Sequence, residues 1–144
     1  MVRVYLDNCC FNRPFDLQSQ ARIRLETEAK LEIQERIRAG ELTLAWSYIL
    51  DYENAANPFP ERKEAIQLWQ AHATVDVSES PPLLAQAQAL ERRGVRGKDA
   101  LHLACAIAGD CAYLLTTDDQ LLRRAADVTE VRIINPVSFV LEFA

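Results

Sequence analysis

Five short apolar runs, each rich in β-branched or aromatic residues, recur along the chain with helical stretches between them: VRVYLD (2–7), LTLAW (42–46), TVDV (74–77), AYLLTT (112–117) and VRIIN (131–135). Each reads as a strand. Between the first two, Ala21, Leu25, Ala29, Ile33 and Ile37 form an i+4 ladder that predicts a helix with Gly40 ending it. Further helices are expected from near Ser47 to before Pro58, from Pro60, from Pro81, over Lys98–Ala108, over Asp118 to about Ala126, and for a turn or two from Pro136. Strands that alternate with helices need crossovers, and crossovers give a parallel sheet covered on both faces. The fold class is therefore α/β, a mostly parallel central sheet of about five strands flanked by helices. With 144 residues, 49% of them hydrophobic, and no repeat or linker, one domain over 1–144 is expected.

Other classes are excluded by what is missing. No run approaches the ~20 apolar residues of a membrane span, and MVRVYLDNCC has neither the apolar core nor the cleavage site of a signal peptide. A cytoplasmic protein without membrane association is expected. Cys9, Cys10, Cys105 and Cys111 fit no CxxC pair or disulfide framework and read as buried free thiols.

In a parallel sheet, sites form outside the carboxyl ends of the strands. Asp7 ends the first strand, and Asp118 and Asp119 follow the fourth. Asp99 opens the helix that feeds this fourth strand, and Glu53 lies one and a half turns into the helix after LTLAW. Four carboxylates thus converge on one rim, which is costly unless a cation lies among them. Mg²⁺ or Mn²⁺ takes oxygen ligands, and such ions assist hydrolysis of a phosphodiester. Three of these acids also have a structural use: Asp99 complements a helix dipole, Asp118 or Asp119 caps a helix, and Glu53 is a solvated helix residue with Asp51 as rival ligand, whereas Asp7 at a strand end has few.

The stretches VYLDNC, SYILDYE, KDALHLA and LLTTDDQLL, with the closing IINPVSF, resemble in order the motifs of PIN-domain proteins, and the resemblance spans the chain. It implies a compact α/β fold, ribonuclease activity dependent on Mg²⁺ or Mn²⁺, and use as the toxin of a toxin–antitoxin pair of the VapC-like group. Carried over by motif, Asp7, Glu53, Asp99 and Asp118 are the catalytic, metal-binding acids. Thr116 and Asp119 support them, Asp118 being preferred because the motif reads Thr, any residue, Asp. Where the family often has Ser or Asn two residues after its first Asp, this chain has Cys9, a poor Mg²⁺ ligand. Expected partners are RNA, a cognate antitoxin and a second copy of the chain in a homodimer.

Arg93, Arg96 and Lys98, with Arg92 near them, are the candidate RNA contacts, set against a solvated helix end. The net charge of −5 is no bar, because the four proposed ligands account for all but one unit of it. His102, three residues after Asp99, and Trp46, Trp69, Tyr48 and Phe11 read as core residues. Rival readings are a non-catalytic PIN-like RNA- or protein-binding module, a nuclease of RNA processing, and a phosphoaspartyl phosphatase or receiver-type domain. The last is disfavoured because no second acid stands two residues after Asp7.

Overall fold

A computed structural model describes residues 1–143. The five expected strands are present as β1 (Arg3–Leu6), β2 (Thr43–Ser47), β3 (Ala73–Val77), β4 (Tyr113–Leu115) and β5 (Arg132–Ile134). They form one sheet in the order β3-β2-β1-β4-β5, every pairing parallel. From β1 the chain moves outward through β2 to β3, then returns to the other side of β1 as β4. The order therefore reverses between β1 and β4, where a parallel sheet opens a crevice at its carboxyl edge.

Eight α-helices among the described residues cover the sheet: α1 (Asn8–Asn12), α2 (Ala21–Arg38), α3 (Tyr48–Ala55), α4 (Pro60–Gln67), α5 (Pro81–Arg92), α6 (Gly97–Ala108), α7 (Asp119–Arg124) and α8 (Pro136–Glu142). Their starts follow the capping residues. Ser47, Ser80, Asp118 and Asn135 each accept a hydrogen bond from a backbone N–H of the first turn of α3, α5, α7 and α8, which satisfies donors that the helix itself cannot. Gly40, at φ +77°, follows the end of α2 and passes the chain into β2, a conformation that a side chain would strain.

Two expectations need correction. The α2 ladder is only partly buried: Ala29, Ile33 and Ile37 face the core, whereas Ala21 is exposed and Leu25 is 58% exposed. A strict four-residue step advances 400° rather than 360°, so five rungs wind off the inward face. The inward positions at the N-terminal half are taken by Glu26 and Lys30 instead. The sequence spacing also gave no helix at 8–12, where α1 starts directly after Asp7, whose side chain caps it.

The core lies on both faces of the central strands. Val4, Tyr5, Leu6, Leu44, Trp46, Leu114 and Leu115 have no exposed surface, and Leu103 and Cys105 of α6 and Phe139 of α8 close over them. Each such apolar side chain contributes roughly 1.5–3 kcal/mol by burial. This rigid floor fixes the strand ends that carry the polar groups of the crevice. Trp46 and Phe11 pack edge to face within it, and Trp69 is buried, as expected of core aromatics. Cys10, Cys105 and Cys111 are buried free thiols, whereas Cys9 is half-buried. No described helix is long and apolar enough to cross a membrane.

Candidate metal centre

Register builds the centre. Leu6 of β1 stands opposite Leu115 of β4, and the Asp7 N–H continues the ladder to the Leu115 carbonyl at 2.9 Å. The next residues on each side, Asp7 and Thr116, therefore meet: the Thr116 hydroxyl donates to Asp7 Oδ2 at 2.8 Å and accepts the Asp118 N–H at 3.1 Å. Asp7 also accepts the Asn8 N–H at 2.8 Å and the Cys9 thiol at 3.4 Å. Three donors on a buried residue hold one carboxylate in one direction. Thr116 supports Asp7 through the geometry its strand position dictates.

Facing Asp7 are Glu53 from α3 and His102 from α6. A carboxylate oxygen of Asp7, one of Glu53 and a ring nitrogen of His102 all lie within 4.8 Å of one another. His102 Nε2 bonds Glu53 Oε1 and lies 3.7 Å from Asp7 Oδ1. Behind the ring, Nδ1 is 2.6 Å from the Tyr5 hydroxyl, which is 2.7 Å from Ser47 Oγ, and Ser47 Oγ accepts the Leu50 N–H at 3.3 Å. Burial drives the Tyr5 hydroxyl well above its ordinary pKa, so it stays a neutral phenol able to donate and accept.

Asp99 lies in the first turn of α6, within electrostatic reach of this trio and of Asp118, which caps α7. Burial pushes the Asp99 carboxyl up to about 6, with Asp7, Asp118 and Glu53 adding to the rise and His102 opposing it. Loss of solvent and neighbouring like charges both disfavour the charged form of a carboxyl. For His102 burial disfavours the charged ring, yet the Glu53 hydrogen bond and the charges of Asp7, Glu53 and Asp99 outweigh it and raise its pKa. The donor set of carboxylate oxygens and one imidazole fits a divalent cation.

The rival acids are occupied. Asp51 Oδ1 accepts from Trp46 Nε1 at 2.9 Å and Gln67 Nε2 at 2.8 Å, and so serves as a packing group. Asp119 is exposed and held by Arg22 through two hydrogen bonds of 2.7 and 2.9 Å. The same guanidinium reaches the Thr117 carbonyl and the buried Glu26, so Arg22 ties the Asp118 loop to α2. The basic residues are less uniform than their sequence proximity suggests. Arg93 is engaged by Glu130 and the Asp127 carbonyl, both at 3.0 Å; Lys98 lies 5.2 Å from the centre of the exposed Tyr52 ring; Arg96 is exposed at the start of α6.

His102 was read from sequence as a core residue, and at 1% exposure it is one. It is also part of the polar cluster. Its position three residues after Asp99 puts both on one helix side, a signal that stays silent until the hydroxyls of Tyr5 and Ser47 are known to lie behind the ring.

No curated protein matches the chain. Among solved structures, it is similar to a chain of VapBC2 from Rickettsia felis, determined bound to a DNA fragment from their promoter. The two share 14% identity at a TM-score of 0.57, over 94% of this chain and 98% of the other. At that identity the likeness speaks to the fold. The family model of the PIN domain matches residues 4–128, a span that contains Asp7, Glu53, Asp99, His102, Thr116 and Asp118. The chain belongs to the PIN domain family.

Proposed function

We propose that this PIN domain is a divalent-metal-dependent endoribonuclease and the toxin of a toxin–antitoxin pair. The observation that carries the nuclease reading is the convergence of Asp7, Glu53 and Asp99 from three separate elements, with the Asp99 carboxyl displaced upward by burial and by its acidic neighbours. Asp7 and Glu53, with Asp99 and Asp118 beside them, are the groups that would hold Mg²⁺ or Mn²⁺. A bound cation would polarise the phosphodiester and favour ionisation of the attacking water. The chain's own residues do the rest. Thr116 and the N–H of Asn8 aim Asp7, the Asp118 side chain is held at the start of α7, and Arg96 and Lys98 stand at the head of α6 to meet phosphates.

Incubation of the purified chain with structured RNA, in Mg²⁺, in Mn²⁺ and in chelator, tests this. Cleavage confined to the metal-containing reactions is expected; binding of RNA without cleavage under every condition would turn the reading to a non-catalytic module. The toxin role is supported by the resemblance and by the VapBC2 fold likeness. Expression should arrest growth, and an adjacent small protein should relieve it. A harmless phenotype together with cleavage in vitro would point to RNA processing. The expected homodimer would use the open groove between Tyr48, Tyr52, Leu84 and Leu101, where Tyr52 and Leu84 are exposed. Light scattering of wild type and Leu84→Glu checks it, a dimer and a monomer being the expected pair.

A further inference from the structure

The ligands nominated by sequence are all oxygens, but the structure adds a nitrogen. We propose that His102 is itself a metal ligand through Nε2, and that the Asp7–Glu53–His102 cluster therefore selects a transition-metal dication such as Mn²⁺ over Mg²⁺. This rests on the metal-dependent reading above and specifies its cation.

The ring is placed for that role and for little else. Its Nε2 faces two carboxylates, one hydrogen-bonded and one at 3.7 Å. Its other nitrogen is backed by Tyr5, as a metal-bound imidazole requires a partner that fixes its orientation and tautomer. With Nδ1–H donating to the Tyr5 oxygen and Tyr5 O–H donating to Ser47 Oγ, a cation that displaces the Nε2 proton accepted by Glu53 would meet the Nε2 lone pair while the groups behind the ring stay paired. Nor is the ring free to leave. It is 1% exposed and packs edge to face on Tyr5 with centroids 5.6 Å apart, so a cation between Asp7 and Glu53 meets Nε2.

Chemistry then sets the preference. Mg²⁺ favours a nearly ideal octahedron of oxygens and gives up water reluctantly, whereas imidazole nitrogen suits first-row transition ions.

The test is binding rather than turnover. Titration calorimetry of the wild-type protein should give a dissociation constant for Mn²⁺ at least about tenfold below that for Mg²⁺. Electron spin echo spectroscopy of the Mn²⁺ form should show a nitrogen coupling that changes when histidine is ¹⁵N-labelled. Tyr5→Phe, which removes the acceptor of Nδ1–H, should weaken Mn²⁺ roughly 10–100-fold while Mg²⁺ binding changes little. His102→Gln should equalise the two ions; if it fails to fold, the spectrum of the wild type still decides. Mn²⁺ bound without nitrogen coupling and no tighter than Mg²⁺ would overturn the role of His102 and leave the nuclease reading intact. Failure of both ions to bind would overturn both.

Discussion

Asp7 carries out two tasks that a single substitution separates. It caps α1 through Asn8, and it presents a negative oxygen to the cluster. Asparagine caps a helix about as well as aspartate but brings no charge for a cation. Asp7→Asn should therefore melt no lower than wild type in chelator and yet lose RNA cleavage, as thermal melts and a gel assay would show. At Asp99 the sign follows from its raised pKa. A carboxyl that ionises near 3.8 when unfolded and about 6 when folded adds stability that is complete below 3.8 and lost as pH rises through about 6. The metal-free protein should accordingly lose melting temperature between those values, and Asp99→Asn should flatten that part of the curve and melt higher at pH 7. A variant that melts lower at pH 7 would make Asp99 a helix-dipole group instead. The nearness of the candidate acids Asp7, Glu53 and Asp99, with Asp118 beside Asp99, was legible in sequence, because motif order survives without coordinates. His102 was not: Ala100, Leu103 and Ala104 around it are plain core, and the partners that give it a second role come from β1 and the end of β2.

Among the elements, α7 shows how a short helix is made by a residue with other work. Its cap is Asp118, which accepts from the N–H groups of Gln120 and Leu121. Loss of such a cap costs about 0.5–2 kcal/mol, or roughly 2–4 °C per kcal/mol in a domain of this size. Asp118→Ala should thus lose both stability and cleavage, whereas Asp118→Asn should keep the melting temperature and lose cleavage alone. Equal behaviour of the two variants in melts would show that the cap is unimportant. The strands and the capped helices were legible because alternation, serine caps and proline at first turns are local signals. The helix α1 was hidden, since its stability comes from Asp7 and from burying Cys10 and Phe11 rather than from any periodic pattern in five residues. The face of α2 was hidden for another reason. Glu26 is buried because, besides Arg22 one turn earlier on α2, Arg13 and Asn135 reach it from separate segments, which no spacing within the helix reveals.

For the whole molecule, metal and fold are linked. An ion that binds only the folded state at 100 times its dissociation constant adds ~2.7 kcal/mol, which in a chain of about 150 residues raises melting by roughly 5–10 °C. Saturating Mn²⁺ should give a rise of that order at pH 7.5. It should give less at pH 5.5, because protons on Asp99 and His102, both raised, must then be displaced. No dependence on pH would mean that neither group is near the bound ion. The sheet order also has a consequence in time. The crevice joins β1 to a strand made well after it, since Asp7 precedes Thr116 by 109 residues. Synthesis proceeds at about 5–20 residues per second from the N-terminus, so Asp7 leaves the ribosome seconds before its neighbours on β4 exist. On the proposed reading, a nascent chain of this kind has no complete acid cluster, and so no cleavage of RNA, until β4 and Asp118 have been translated.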